Sequence, residues 1–311
     1  MWVTSSTATA LLPTAIALGN FDGIHRGHQE VVRSIVGVDA TGSEDCSIRR
    51  TVVTFNPHPR EFFSGQRRQL LTPQEEKVRL LEALGIEQLV LLPFDRELAT
   101  LSPQDFVEKI LVRQLQAKRI GVGKDFHFGY QRQGTAEDLR AIAQNHDIEV
   151  KIVSLQACGR DRVSSSLIRQ SLQEGDIPQA NRLLGRPYQL AGTVVTGQQL
   201  GRTIGFPTAN LQLPDNKFLP RYGVYSVRVV LEKTALLGVM NIGCRPTVNA
   251  EAKPTVEVHL LDWSGDLYEQ TLTVNLEEFL RPEQKFSSLD ALKAQIQTDC
   301  KRAKDLLNSQ L

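Results

Sequence analysis

Residues 15–36 have the sequence AIALGNFDGIHRGHQEVVRSIV, and the predicted fold of the first half of the chain starts from this stretch. Its four leading apolar residues predict a buried strand of a parallel sheet, and the glycines of the following GNFDG segment predict a tight turn. Apolar residues then recur at helical spacing from Val31 onward, which predicts a helix beginning near His25. His25 and His28 are three positions apart, so both imidazoles lie on one face of the first helical turn.

This turn and helix start are suited to binding phosphate. Backbone N–H groups of a glycine-rich turn and of a helix N-terminus point toward an incoming anion, and the helix dipole favours negative charge there. Imidazoles at the same place donate hydrogen bonds to phosphate oxygens. For an isolated HxGH motif, a turn with two solvated histidines is an equal alternative, but the preceding GNFDG segment favours a nucleotide site. We predict catalytic roles for His25 and His28 and nucleotide binding by the residues of the turn: Gly19, Asn20, Phe21, Asp22 and Gly23.

GNFDGIHRGH also resembles the signature of the HxGH nucleotidyltransferases. In this form it is similar to the adenylyltransferase half of the bifunctional prokaryotic FAD synthetases, a family that joins a riboflavin kinase to an FMN adenylyltransferase. The resemblance implies that ATP, riboflavin and FMN are substrates and that Mg²⁺ is a cofactor. It extends over most of the chain, because further motifs of the family follow in the expected order.

The patterning divides the chain into two parts. Alternating strand and helix patterns in residues 1–186 predict an α/β domain with a doubly wound parallel sheet, and the resemblance implies that it is the FMN adenylyltransferase domain. Short β segments separated by turns follow in residues 187–311 and predict a compact antiparallel barrel. The resemblance implies that this all-β, Greek-key-type barrel is the riboflavin kinase domain and carries the amphipathic helix predicted at the end of the chain.

Composition limits the function classes. A chain of 311 residues with 41% hydrophobic and 23% charged residues is long enough for two independent cores. The net charge of +1 provides no basic surplus for nucleic-acid binding, and no apolar run approaches the ~20 residues of a membrane span. The four cysteines form no CxxC pair, and no signal peptide is indicated, so we expect a cytoplasmic protein without a zinc knuckle. The oligomeric state does not follow from the sequence.

Two other functions stay open at this point. One is an enzyme that has kept only one of the two activities. The other is an RNA-interacting protein, because HxGH domains also occur in aminoacyl-tRNA synthetases and small barrels bind nucleic acids. The near-neutral charge argues against RNA.

Two further strand ends in the first half carry candidate flavin-binding residues. The TVVTF strand at residues 51–55 ends in NPHP, which places His58 on a rigid turn at the edge where ligands of α/β sheets bind. The family resemblance includes TFxPHP, which implicates Phe55 and His58; a stiff loop with a chance histidine is the alternative. The strand at residues 120–123 leads into KDFHFG, which fits the family pattern GxDFxFGxxxxG. Aromatic and acidic groups there suit a planar heterocycle, and the predicted flavin contacts are Asp125, Phe126 and Phe128.

Two proline-containing segments predict helix starts. TPQE at residues 72–75 has the capping-box pattern, and SPQD at residues 102–105 repeats the start signal. We assign no chemistry to these helices.

The VSSSLIR stretch at residues 163–169 predicts a second anion site that faces the first. Serines at a helix start offer hydroxyls and free N–H groups, and an arginine offers a planar fork for phosphate. The family pattern is [IV]SST-x-IR, so Ser166 replaces a threonine and keeps its hydroxyl. An ordinary serine N-cap is the alternative. We predict a catalytic role for Arg169 and nucleotide binding by Ser164, Ser165 and Ser166.

In the second half, residues 197–210 have the sequence GQQLGRTIGFPTAN and match the riboflavin kinase pattern GxxxGRxxGFPTAN. The lysine of a Walker A loop is missing, so the stretch is interpreted as a glycine loop that covers a triphosphate; a hairpin turn is the alternative. Mg²⁺ prefers oxygen ligands, which makes Thr208 and Asn210 the candidate metal ligands. The predicted nucleotide-binding residues are Gly197, Gly201, Arg202, Gly205, Phe206 and Pro207.

A kinase needs a carboxylate to orient the substrate hydroxyl and accept its proton. Glu257 lies on an alternating strand whose apolar neighbours Val256 and Val258 face the other way. From spacing alone a solvated glutamate is favoured, but by resemblance Glu257 has the position of the family's catalytic base. The FLRPEQKF segment looks like the family's flavin-contacting loop and supplies the candidates Arg281, Glu283 and Phe286.

One position departs from the family. Glu269 stands where the family usually has glycine, after the DLY sequence at residues 266–268. This departure concerns the shape of the turn, and we expect no effect on the active site.

Overall fold

The computed structural model describes residues 1–36, 47–154, 157–158, 161–197, 200–231, 234–244 and 254–308. The chain divides into two compact units, Met1–Ser165 and Ser166–Leu311. Residues 166–186 therefore group with the second unit, whereas the boundary expected from the sequence follows Arg186. That boundary stays a prediction.

The first unit contains ten strands and six α-helices among the described residues. The strands are β1 (Trp2–Thr4), β2 (Thr14–Leu18), β3 (Arg49–Asn56), β4 (Gln88–Pro93), β5 (Ala117–Gly123), β6 (His127–Phe128), β7 (Gly134–Thr135), β8 (Glu149–Val153), β9 (Ala157–Cys158) and β10 (Asp161–Arg162). The helices are α1 (Arg26–Val36), α2 (Pro59–Ser64), α3 (Gln74–Ala83), α4 (Arg96–Thr100), α5 (Pro103–Asp105), which continues as a π-helical segment (Phe106–Gln114), and α6 (Ala136–Gln144). Two 3₁₀ turns lie at Thr7–Thr9 and Tyr130–Arg132.

Six of these strands form one parallel sheet in the order β1-β4-β3-β2-β5-β8. Successive side chains of β2 enter opposite apolar layers: Ile16 and Leu18 belong to one core cluster, Ala15 and Ala17 to the other. Both faces of the sheet are thus covered, and the doubly wound α/β fold is confirmed. The order of the strands changes direction between β2 and β5, which is where sheets of this kind bind ligands.

The helix starts were predicted with mixed success. Helix α1 begins at Arg26, directly after His25, as expected. Ser102 caps α5 by accepting the N–H of Asp105, which confirms that start signal. The capping box at residues 72–75 is wrong, because no side chain caps α3. The hydroxyl of Thr72 accepts the N–H of Gly23 at 2.9 Å instead.

The second unit is a barrel with helices. Its elements are α7 (Ser165–Glu174), whose first residue belongs to the first unit, α8 (Ile177–Leu184), β11 (Tyr188–Val195), α9 (Leu200–Thr203), β12 (Ala209–Gln212), β13 (Gly223–Leu231), β14 (Thr234–Cys244), β15 (Pro254–Leu260), β16 (Thr271–Arg281) and α10 (Leu289–Asn308).

The barrel is closed, antiparallel and six-stranded, in the order β11-β12-β15-β14-β13-β16. Strand β12 pairs with β15 and not with β13, its successor in the chain, which is a Greek-key connection. Helix α10 buries Ala303 and Leu307 against the barrel residues Val224 and Val239. The all-β barrel with a terminal helix is therefore confirmed.

Candidate active sites

The GNFDG turn connects β2 to α1 and is held in place from inside the first unit. Asp22 is 5% exposed, and its Oδ1 accepts the N–H groups of Leu71 and Thr72 at 2.8 and 3.3 Å. Phe21 and Ile24 have φ angles of 47° and 44°, in the left-handed region that non-glycine residues rarely adopt. The two hydrogen bonds of Asp22 order the turn. That Asp22 also contacts the nucleotide stays a prediction.

The two histidines of the HxGH motif form a stacked pair. Their ring centroids are 3.7 Å apart and the planes differ by 12°. The backbone N–H of His28 donates to Nδ1 of His25 at 3.3 Å. Because that nitrogen accepts, the proton of the neutral His25 ring is on Nε2, which makes this atom a hydrogen-bond donor.

The surroundings of His28 keep its ring neutral. Burial, then the neighbouring His25 and then Lys77 hold the pKa of His28 well below the ordinary 6.5. The Phe21 ring covers one side, with its centroid 5.2 Å from that of His28. The surroundings therefore favour the uncharged form of the His28 ring.

The serine stretch reaches the same turn. The hydroxyl of Ser165, the last residue of the first unit, donates to the backbone carbonyl of Asp22 at 2.7 Å. Ser164 precedes that helix, and Ser166 is its second residue. Arg169 lies one turn further on, with its guanidinium 4.8 Å from the ring centroid of Phe218.

His58 has a capping task in the structure. Its Nδ1 accepts the N–H of Arg60 at 3.0 Å, while its own N–H donates to Glu61, which completes a capping box at the start of α2. Burial and then the Arg68 guanidinium lower the pKa of His58 to about 4. Its contact with flavin stays a prediction.

The other flavin candidates of the first unit lie among aromatic rings. Phe126 and Phe128 stack with centroids 5.7 Å apart, and the carboxylate of Asp125 accepts from Arg162. Phe55, near the end of β3, contacts the Phe94 ring edge-on at 5.6 Å.

Sequence reasoning missed an aromatic cluster that continues from Phe55. The rings of Phe62, Phe63 and Phe94 contact one another with centroid distances between 5.3 and 5.9 Å, and Phe63 is 73% exposed. The sequence feature that could have indicated this cluster is the pair of phenylalanines directly after PHPRE. An exposed ring at a sheet edge of this kind offers a stacking surface for a planar ligand.

A cavity of about 400 Å³ opens beside the PTAN segment of the second unit. Both polar and aromatic side chains line it, so it can hold a base and the phosphates attached to it. The turn that contains the DLY sequence forms one wall of the cavity, and the expectation that Glu269 has no effect on the active site stays a prediction. The lining residues include Arg202, Pro207, Thr208, Trp263, Asp266 and Tyr268.

Glu257 lies in the middle of a row of polar residues that runs across three strands. It is directly opposite Asn210 on β12 and opposite Asn241 on β14. Residues in register share a face of the sheet, and Val256 and Val258 are buried at 3% and 1% exposure on the other face. The alternation predicted for this strand is therefore confirmed. Asn241 was missed as a candidate because its strand has no polar alternation around it.

The metal candidates provide hard oxygen donors. Thr208 contributes a hydroxyl and Asn210 an amide oxygen, and Glu257, the predicted base, lies opposite Asn210. Among the residues described, no group of three or more His, Cys, Asp or Glu side chains is arranged to hold a metal on its own. This donor set suits Mg²⁺, which commonly keeps waters and substrate phosphates as ligands. The remaining loop candidates, Gly197, Gly201, Gly205 and Phe206, lie on either side of α9 or within it.

The predicted flavin loop is anchored by the last helix. Arg281 pairs with the buried Asp299 of α10 at 2.8 and 3.0 Å, and its guanidinium lies 5.7 Å from the centroid of the Phe286 ring. Arg281 therefore orders the loop, while its direct contact with flavin stays a prediction. Asp299 was missed, since a single aspartate in an amphipathic helix gives no signal.

Family models match both halves of the chain. The FAD synthetase model matches residues 8–167, and the riboflavin kinase model matches residues 184–307. Among the described residues, no helix combines the length and the apolar character required to cross a bilayer.

Curated relatives match nearly the whole chain. The bifunctional riboflavin kinase/FMN adenylyltransferase of Pseudomonas fluorescens is 39% identical over 93% of this chain and 91% of its own length. The protein of the same description from Escherichia coli K12 is 40% identical over 91% and 90%. A crystal structure described as a macrolide-efflux protein from Streptococcus pneumoniae has a TM-score of 0.86 and 32% identity, covering 97% of this chain and 98% of the other. With two family models in this order and relatives of this identity and coverage, the chain belongs to the family of bifunctional riboflavin kinase/FMN adenylyltransferases.

Proposed function

We propose that this chain converts riboflavin to FMN and FMN to FAD, using ATP in both reactions. The observation that supports the proposal is that each unit has its own group of side chains suited to binding phosphate, and that the two groups differ. The first unit has the stacked His25–His28 pair beside the GNFDG turn. The second unit has the row of Asn210 and Glu257 near the cavity.

In the kinase reaction, the ribityl hydroxyl of riboflavin attacks the γ-phosphorus of ATP. Glu257 orients that hydroxyl and accepts its proton, while ADP leaves with the electrons of the broken bond. Thr208 and Asn210 would hold Mg²⁺, which would shield the phosphate charges. The cavity beside Thr208 takes the nucleotide, and Arg202 lies in its wall.

In the adenylylation, a phosphate oxygen of FMN attacks the α-phosphorus of ATP. The bond from that phosphorus to the bridging oxygen breaks, and pyrophosphate leaves. His25, through its Nε2 proton, stabilises the charge that develops on the phosphates, together with His28, Ser165 and Arg169. No protein nucleophile takes part.

The flavin ring is proposed to bind among Phe55, His58, Asp125, Phe126 and Phe128 in the first unit. In the second unit it binds at the loop of Arg281, Glu283 and Phe286. We also propose a cytoplasmic location, where all three substrates are available, and small-molecule partners without nucleic acid or membrane.

Chromatography of the products formed by the purified protein from riboflavin, ATP and Mg²⁺ tests both reactions. FMN and then FAD are expected. Glu257→Gln should prevent FMN formation from riboflavin but leave FAD formation from added FMN, and His28→Gln should do the reverse. A wild-type protein that returns riboflavin and FMN unchanged would disprove the proposal.

A further inference from the structure

Helix α3 carries a buried lysine that the two reactions above do not use. Lys77 is 8% exposed, and its Nζ donates to the backbone carbonyl of Asn20 at 3.3 Å. A buried ammonium group is unfavourable unless hydrogen bonds and opposite charge compensate it. Because this hydrogen bond is made to the turn assigned to phosphate binding, the position of Lys77 requires an explanation beyond packing.

The Asn20 carbonyl is held by a second donor. Thr54 on β3 is 2% exposed, and its hydroxyl donates to the same oxygen at 3.0 Å. A carbonyl oxygen has two lone pairs, so Lys77 and Thr54 together use its full accepting capacity. The peptide plane between Asn20 and Phe21 is thereby fixed from two different elements of the fold.

Fixing this carbonyl also fixes an N–H group. In a planar trans peptide the C=O and the N–H point in opposite directions, so the N–H of Phe21 points away from Lys77 and Thr54. Phe21 has a φ of 47°, an orientation that is unfavourable for a side chain of its size and that needs support from its surroundings. Among the described residues the N–H of Phe21 has no hydrogen-bond partner. It is a donor in the turn that precedes the two histidines.

We infer that Lys77 is a positioning residue of the adenylylation site, which with Thr54 orients the Asn20–Phe21 peptide so that the Phe21 N–H binds a phosphate oxygen of the nucleotide. The inference rests on the proposed adenylylation. It assigns a task to a helix that the sequence marks as structural.

The charge of Lys77 supports the same arrangement. Burial lowers the pKa of Lys77, and the carboxylate of Asp22 acts in the opposite direction as its counter-charge. Lys77 also contributes, after burial and His25, to the lowered pKa of His28. The ammonium therefore lies close enough to the motif to add positive potential where phosphate binds.

The test compares single and double variants of the full-length protein. Lys77→Met and Thr54→Val each remove one hydrogen bond to the Asn20 carbonyl, and each should lower kcat/KM for ATP in FAD formation about 10-fold to 100-fold. Because both substitutions act on one peptide group, the fold-decrease in kcat/KM of the double variant should be far smaller than the product of the two single fold-decreases. Lys77→Arg keeps a donor and should restore part of the rate. Lys118→Met, which alters an exposed lysine of β5, is the matched control and should be unchanged.

The outcomes separate the inference from the proposed function. Phosphorylation of riboflavin by the same preparations should stay at the wild-type rate, which shows that the protein is intact. If Lys77→Met lowers the melting temperature but leaves kcat/KM for ATP within 2-fold, the inference is wrong while the proposed function stands. If Lys77→Met does not fold, the kcat/KM for ATP of Thr54→Val is compared with that of the wild type by the same 2-fold criterion. If the wild type forms no FAD from FMN and ATP, the proposed function itself is wrong.

Discussion

Gly27 lies against the imidazole of His25. A Cβ atom on Gly27 would be 3.3 Å from both Cε1 and Nδ1 of that ring, closer than most real Cβ contacts. The backbone N–H of His28 donates to the same Nδ1, and the His28 imidazole stacks on the face of the ring. The His25 ring therefore has little freedom to move away.

Gly27→Ala should therefore impair adenylylation without destabilising the protein. Alanine favours a helix over glycine by about 1 kcal/mol, so the free energy of unfolding should stay equal or rise. The displaced His25 ring should lower kcat/KM for FAD formation about 10-fold, since its Nε2 donor moves from its place. Steady-state kinetics with FMN, combined with urea unfolding, checks both parts. An unchanged rate would show that the position of the ring is not critical.

The capping histidine of α2 predicts a pH dependence of stability. The pKa of His58 is about 4 in the folded chain and about 6.5 when unfolded, so the unfolded state binds the proton more readily. The free energy of unfolding should be constant above pH 6.5, fall between about pH 6.5 and 4, and level off below that. Partial solvent screening limits the loss to the order of 1–2 kcal/mol.

His58→Asn isolates this contribution, because asparagine caps a helix equally well and does not titrate. Urea unfolding at pH 7.5 and pH 4.5 measures how far the free energy of unfolding falls between these two pH values. The fall should be smaller for the variant than for the wild type. Equal differences in the two proteins would show that the native ring takes up its proton at the ordinary pH.

Glu269 has a left-handed backbone conformation at the position where the family usually has glycine. Its φ is 65°, and its N–H donates to Val194 at 3.0 Å. Glu269→Gly removes the steric penalty of the left-handed region but increases the entropy of the unfolded chain. The free energy of unfolding should therefore rise by only about 0.5 kcal/mol. Glu269→Ala keeps the penalty and should give no gain. Calorimetric melting of both variants distinguishes these results, and a clear loss for the glycine variant would contradict the argument.

The parts of the molecule that sequence predicted are those set by local pattern. The strand, turn and helix of residues 15–36 follow each other directly, so apolar periodicity and glycine placement locate His25 and His28 correctly. Alternation along β15 likewise separates Glu257 from its apolar neighbours. In both places the candidate site residues lie within the short stretch whose sequence pattern predicts the local structure.

The parts that sequence missed depend on contacts between distant segments. The side chain of Thr72 has the pattern of a helix cap, but a turn 49 residues away uses its hydroxyl. Lys77 and Asp299 are ordinary helix residues in the pattern, and only the fold shows that each is buried against a loop of a candidate site. A helical pattern indicates which face is buried, but it does not indicate which polar group has a partner there.

The carboxylate of Glu283 packs directly over Gly243. A Cβ atom on Gly243 would be 2.1 Å from Oε1 of Glu283, so Gly243→Ala must displace that carboxylate. The side chain is exposed and flexible at its end, and the change in stability should stay below about 1 kcal/mol. If Glu283 binds the flavin as predicted, the KM for riboflavin should rise about 10-fold with a smaller change in kcat. FAD formation from FMN should not change. In a Glu283→Ala background the same substitution should have no further effect on the KM, and an additional loss there would mean that Gly243 acts on the site by another route.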